Sequence, residues 1–529
     1  MKKSFFVFFV LLIFSIMQVD AQLKPIVTKA KYVDKTPPLR EMELVIPGIR
    51  DRSWKDNVIE NKLDFPGAPN EYKDSGPDQV WQNKFGKQRH NEPIQNFDGT
   101  GNVNGVMPPD TDGDVGPNHY FQMVNLSFQI FDKEGNSLYG PADNSTLWNG
   151  FIGPWTGHND GDPIVAYDEL ADRWVVSQFA LRCDDDTWWE LVAVSATSDP
   201  LGAYYRYAFE YPVFNDYPKL SVWPDAYYCS FNLLDDYNRV GASAYEREAM
   251  LIGDTNARHV LFDLPEELAT WAMLPADFDG TPPENGTPNY WTCITDDEGH
   301  LWDEDMIRVW EFTVDWNDPQ NSTFVEVQNL PPEPFSYRLC DAGNLQDCIP
   351  QPDGAPNLDA LSAFSMQPLQ YRNFGTYETL VFNHTVNADG NGLAGIRWYE
   401  LRKENEVDGW YIYQQGTYAP DENYRWMGSI AMDARGYIAL GYTVSSTSVY
   451  PSLCYTGRPP DAPLGEMTFT EEVIITGGGV QTGDPHRWGD YSMMAVDPSN
   501  DTTFWYTGEY MATTSGWGWS TRIAAFNLT

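Results

Sequence analysis

The residues able to do chemistry sit in short polar runs just ahead of apolar stretches. They are Asp110-Thr111-Asp112-Gly113-Asp114, His158-Asn159-Asp160-Gly161-Asp162, Asn215-Asp216-Tyr217-Pro218-Lys219, Tyr424-Arg425-Trp426 and His486-Arg487-Trp488-Gly489-Asp490-Tyr491. Tyr371-Arg372-Asn373 and the pair Asp277 and Asp279 stand in similar places. Paired carboxylates can serve as acid and base across a scissile bond. Arginine clamps anions with two parallel bonds, and His or Tyr moves protons. Asp162, Asp216, His486 and Asp490 are therefore the candidate proton-transfer groups. Arg425, Trp426, Arg487, Trp488, His158 and Tyr217 are the candidate ligand contacts. A single Asp before a strand is an ordinary turn residue, and an Arg-Trp pair often stacks inside a core. The weight rests on convergence, with Asp162, Asp216, Arg425, His486, Arg487 and Asp490 expected around one funnel.

Asp110, Asp112 and Asp114 alternate around a glycine, as oxygen donors do in calcium loops, so Ca²⁺ is the expected cofactor there. NADGNG at 387–392 has the same character, but neither run places the closing Glu of an EF-hand. His119 and His384 fall within apolar patterns and read as core histidines. No Ser nucleophile elbow, phosphate loop or HExxH motif is present.

The elements that must position these residues repeat. GDPIVAYDELADRWVVSQFAL (161–181) reads as two apolar strands around a turn opened by Asp168. Asp opens turns because its carboxylate bonds backbone N–H groups two residues on. The pattern recurs with turns at Asp225, Asp433 and Asp497, and less clearly near Gly116, Asp297 and Gly375. A hairpin returning every roughly 50–80 residues predicts an all-β repeat fold, a seven-bladed β-propeller over 96–529. Six or eight blades, or tandem β-sandwiches, are the alternatives. The last unit lacks a strand, which residues 94–98 would supply. Residues 22–95 read as an extended arm, and the best helical stretch is 265–274.

Composition bounds the partners. The chain of 529 residues carries 76 Asp+Glu against 34 Lys+Arg, which disfavours nucleic acid. Residues 1–21 read as a signal peptide: Lys2 and Lys3, an apolar run from Phe5 to Met17, then Val19-Asp20-Ala21. No later run reaches the about 18 apolar residues of a membrane span. An extracellular or cell-surface monomer is expected. Of the six cysteines, Cys340 and Cys348 flank a short polar loop and are expected to pair, while Cys229 and Cys293 lie in strand patterns as buried thiols.

NFDGTGNVNGVMPPDTDGDVGPNHYFQMVNLSF (96–128), NDYPKLSVWPD, AGIRWYEL, QQGTYAPDENYRWMGSIAMD and RWGDYSMMAVDP resemble an uncharacterised family of secreted bacterial β-propeller proteins. The resemblance covers nearly everything after residue 95. It implies a secreted propeller module and brings no assigned activity. The chain is also loosely similar to the sialidase-like propellers, but their S-x-D-x-G-x-T-W box is missing, so no residue role carries over. Two functions fit. One is a recognition module binding an extracellular glycan or protein at the funnel. The other is a glycan-degrading hydrolase or lyase using the same groups.

Overall fold

The structure, a computed structural model, describes residues 23–48, 76–89, 92–181, 187–235, 238–265, 267–298, 302–340, 347–404, 407, 409–484 and 486–529. The signal-peptide reading and Cys183 fall outside the described residues.

The fold is all-β. Among the described residues the chain runs seven times through an antiparallel meander of neighbouring strands. The first strands of these units are Asp112–Val115, Ile164–Asp168, Phe214–Val222, Leu274–Phe278, Met366–Asn373, Tyr424–Met432 and Met493–Val496. Each lies beside the first strands of the units before and after it, and the seventh lies beside the first. We call these the inner strands. Among the described residues the strands form six sheets, because two neighbouring inner strands pair in parallel, Asp277 opposite Gln370, and join units four and five, with the arm strand Trp81–Gln82, into one sheet of nine strands.

Elsewhere the inner strands splay, so side chains take over the bonding between units. Asp112 accepts from the Val165 amide at 2.7 Å and Asp114 from Tyr167 at 2.6 Å. Asp277 accepts from Val222 at 2.6 Å, Gln370 from Met432 at 2.5 Å, and the Ser429 hydroxyl from Met494 at 2.8 Å. Amides that the splay would leave unmet gain partners this way, and a buried unmet amide costs about 1–3 kcal/mol.

The aspartate turns behave as their chemistry requires. Asp433 accepts from the Arg435 amide at 2.8 Å and Asp497 from Ser499 at 2.9 Å, both two residues on. Asp168 is also held by Arg247 at 2.7 Å, which ties unit two to unit three. The turn near Asp297 is different. It joins Asn289–Thr295 to Met306–Thr313, the second and third strands of its unit, not the innermost hairpin. The expected helix at 265–274 is absent: Arg258–Pro265 ends as a strand and Leu274–Phe278 begins one.

The arm adds strands to outer edges. Ile26–Lys29 pairs with Arg258–Pro265 in unit three, and Tyr32–Lys35 with Tyr204–Tyr211 in unit two. Trp81–Gln82 lies parallel to Trp410–Tyr418 in unit five. Gln95–Asp98 pairs with Ser520–Phe526 and supplies the fourth strand of unit seven. Edges otherwise open to association are covered. The core sits between sheets. Trp174, Trp223, Trp291, Trp398, Trp410, Trp426, Trp488 and Trp519 are all essentially buried, each contributing roughly 4–6 kcal/mol of apolar burial. Cys340 and Cys348 form a disulfide, and Cys229, Cys293 and Cys454 are buried thiols. Among the described residues no helix is long and apolar enough to cross a membrane.

Candidate functional site

Just before or near the start of six of the seven inner strands, the backbone makes one repeated kink. Asp110, Asp162, Tyr217, Ala272, Met427 and Asp490 all have φ between 46° and 57°. Aspartate tolerates this left-handed region, whereas for Tyr217 and Met427 it is strained by on the order of 1–3 kcal/mol. Tyr217 sits in a bulge between Asp216 and Lys219, and Met427 in one between Trp426 and Ser429. The kinks deliver polar side chains to one end of the channel, here called the inlet.

A compact cluster forms there. The Lys219 amine lies 3.3 Å from the centre of the Tyr217 ring and 3.5 Å from that of Tyr491. The two rings meet edge to face at 5.1 Å. Lys219 also donates to the Pro218 carbonyl at 3.0 Å. The Tyr491 hydroxyl donates to Asp162 at 3.2 Å and that of Tyr217 to the Asp490 carbonyl at 3.0 Å. Arg487 bonds to Asp490, with Asp359 3.8 Å away. The Asp110 amide donates to Gly489 O at 3.1 Å. Five stretches of chain, belonging to units one, two, three, five and seven, therefore meet.

Burial dominates the electrostatics. It pushes the Lys219 amine down from 10.5 to about 7, although Asp162, Asp490, Asp110 and Asp112 pull the other way. Burial raises the Asp490 carboxyl, opposed by Arg487, and holds the Tyr217 and Tyr491 phenols well above their usual range. For Arg487 burial disfavours charge, but Asp490 and Asp359 outweigh it and keep the guanidinium firmly protonated. Below the cluster, Lys219 also lines a cavity together with Asp112, Asp114, Asp277, Gln367 and apolar groups. Burial lifts Asp112 to about 7 and raises Asp114 and Asp277 well above the usual carboxylate range. Towards the outlet, burial carries Glu169 to about 8 and Asp279 to about 6.

The sequence candidates distribute as follows. Asp162, Tyr217, Arg487 and Asp490 are in the cluster, with the half-buried Asp216 close enough to act on Arg487 and Tyr491. His486 is at its margin, its Nδ1 2.7 Å from Asp347, whose amide donates to Asp359 at 2.9 Å. His158 is half-buried, and its backbone N–H bonds to Trp155 O. Trp426 and Trp488 are fully buried 5.7 Å apart, so they pack behind the site and offer no open face. Arg425 is turned away, paired with Glu471 at 2.8 Å and Asp421 at 2.7 Å. Arg372 and Asn373 end their inner strand instead of leading into it, and Arg372 pairs with Asp501 at the outlet. Asp112 accepts from the Val165 amide and from Gln367, and Asp114 from the Tyr167 and Val115 amides. Among the described residues Asp296, Asp297 and Asp305 form a group of three whose carboxylate oxygens lie within 4.8 Å of one another. In the 387–392 run, Asn387 accepts from Gly392 and Asp389 from Asn391, which are turn bonds.

Three members of the cluster were not singled out in the sequence: Lys219, Tyr491 and Asp359. The first two stand in the polar runs already named. Asp359 carries no such signal, because the Tyr371-Arg372-Asn373 run marks the end of its inner strand and not the loop leading into it.

No family model matches the chain, and no curated protein matches it. Solved structures give weak likenesses. The polysaccharide lyase Uly1 aligns over 95% of this chain and 100% of its own at 9% identity and a TM-score of 0.37. The endo-arabinase from Bacteroides thetaiotaomicron VPI-5482 covers 58% and 95% at 11% identity and TM-score 0.28. The WD40 domain of SCAP from fission yeast covers 77% and 79% at 7% identity and TM-score 0.32. Likeness at this level carries nothing about activity.

Proposed function

We propose that the chain is a secreted, monomeric, seven-bladed β-propeller that recognises an extracellular glycan at the inlet cluster. The observation that carries this reading is the meeting of five chain segments around Lys219, Tyr217 and Tyr491, each bringing a charged or aromatic group to one end of the channel. Hydrogen-bonding carboxylates are what a polyhydroxylated ligand needs, since its hydroxyls donate to the acids. The six sheets support the seven blades through the cyclic neighbourhood of the inner strands, with units four and five joined at their parallel pair. Isothermal titration against oligosaccharides tests the reading. Binding that is weakened about tenfold or more by Tyr491→Phe with Asp162→Asn is the expected result. Binding untouched by that double substitution refutes it.

One observation favours a second reading, in which the same cluster degrades the glycan. An amine near pKa 7 beside phenols and carboxylates is matched to proton transfer at neutral pH. Lys219 would then accept or return a proton, with Asp162, Asp490 and His486 as the remaining groups able to do so. Release of reducing ends or of unsaturated products on incubation would select this reading.

A further inference from the structure

We infer that Trp517, at the rim of the inlet, is the platform on which a sugar ring of the glycan stacks. The inference rests on the glycan reading above and adds an open contact that the buried cluster does not supply.

Topology puts Trp517 at the rim. The inner strand Met493–Val496 starts at the inlet and Phe504–Tyr510 returns to it, so residues 511–519 turn at that end before Ser520–Phe526 leaves it. This loop runs parallel to residues 478–483, which lead into the same inner strand, with Gln481 opposite Ser515. Backbone bonds join the two. Gly478 donates to Met511 O at 2.8 Å, Ser515 to Val480 O at 3.1 Å, Thr482 to Ser515 O at 2.9 Å and Gly483 to Gly516 O at 3.1 Å. Asn102 donates to the Trp517 carbonyl from the other side. The Gln481 side chain donates to Arg487 O at 2.6 Å, which ties this ribbon to the cluster.

The approach is close enough to require glycine. A Cβ added at Gly479 would run into the Thr514 amide, and one at Gly483 into the Trp517 ring. The indole therefore rests against backbone on a fixed seat and loses little freedom on binding.

Its ring is also uncovered. Among the described residues three aromatic side chains are more than a third exposed: Tyr32 at 38%, Trp517 at 41% and Phe85 at 42%. Tyr32 meets Trp155 edge to face at 5.1 Å, and Phe85 has the Arg425 guanidinium 5.7 Å away. Trp517 meets neither a ring nor a cation among the described residues, and its Nε1–H donates to none of them. A pyranose turns weakly positive C–H bonds towards an aromatic face, whose quadrupole is negative. Along the ribbon Thr482, Asp484, Thr513 and Thr514 are exposed and no large aliphatic chain is. Hydroxyls and a carboxylate suit the hydroxyls of a sugar, whereas a protein partner would want a wider apolar patch.

The test is a panel of hexasaccharides titrated into the full chain: glucose, galactose, mannose, N-acetylglucosamine, glucosamine and guluronate hexamers. Trp517→Ala should weaken the tightest-binding hexamer about tenfold or more, and Trp517→Phe, which keeps a ring, should weaken it less. Fluorotryptophan labelling of the wild type reads the contact without a variant that must fold well: the Trp517 line, assigned by its loss in Trp517→Phe, should shift on saturation. A hexamer that binds Trp517→Ala as tightly as wild type, or that leaves the Trp517 line unmoved, overturns the inference. If Tyr491→Phe with Asp162→Asn still weakens that hexamer, the glycan reading stands without it. Binding by none of the six overturns both.

Discussion

Lys219 offers the sharpest energetic test. Its amine is pushed from 10.5 to about 7 by burial. At pH 6 the folded and unfolded chains both carry the ammonium, and the folded chain bears its desolvation. Between about pH 7 and 10.5 the unfolded chain holds a proton that the folded chain has lost, so stability from this group rises with pH. Each pH unit in that window is worth about 1.4 kcal/mol, and the whole window about 5 kcal/mol. Lys219→Met keeps the length of the side chain and removes the titration. The difference in unfolding free energy, wild type minus variant, should therefore climb by several kcal/mol between pH 7 and 10. Asp112 adds to the same trend, because Lys219 helps to hold its proton affinity down and the variant lacks that help. The raised tyrosines and thiols are common to both proteins and largely cancel in the difference. Urea unfolding at half-unit pH steps measures it. A difference that stays flat from pH 7 to 10 refutes the buried, depressed amine and the cluster built around it.

Three further outcomes follow from the same geometry. Arg487→Ala strands Asp490 and Asp359 and should cost about 3–5 kcal/mol by chemical denaturation, a loss under 1 kcal/mol meaning that the pair is not closed. Asp112→Ala leaves the buried Val165 amide without its acceptor, so it should lower stability by about 1–3 kcal/mol in EDTA as in calcium; a loss seen only in calcium would assign this residue to a metal instead. Replacing Cys340 and Cys348 by Ser should lower stability by about 2 kcal/mol, with no further loss on adding reductant, whereas a variant as stable as wild type would remove the disulfide from the account.

The hairpins were legible because their turns are local chemistry. Asp168, Asp433 and Asp497 bond amides within a few residues, and the sequence around each carries that instruction. Units four and five were less legible. A turn such as Asp296-Asp297 looks the same whichever hairpin of a meander it closes, and the inner strand Leu274–Phe278 is short and contains Pro275. The two Arg-Trp pairs among the candidates, at 425–426 and 487–488, show the limit for the site. Arg425 lies inside its strand, opposite Val444, and is directed to Glu471, whereas Arg487 stands ahead of Met493–Val496 and reaches the channel. One dipeptide at two registers lands on two sides, because a strand alternates its faces with every residue. Lys219 carried no signal of its own, since its proximity to Tyr491 is fixed only when unit seven meets unit three.

The most direct test of the inlet as the functional site is a crystal structure of the chain with the tightest-binding hexasaccharide of the panel. The account requires the sugar at the inlet, with a hydroxyl group bonded to a carboxylate of the cluster such as Asp216. A sugar bound at the outlet beside Glu169 and Asp279, or on the outer edges of the sheets, would contradict it.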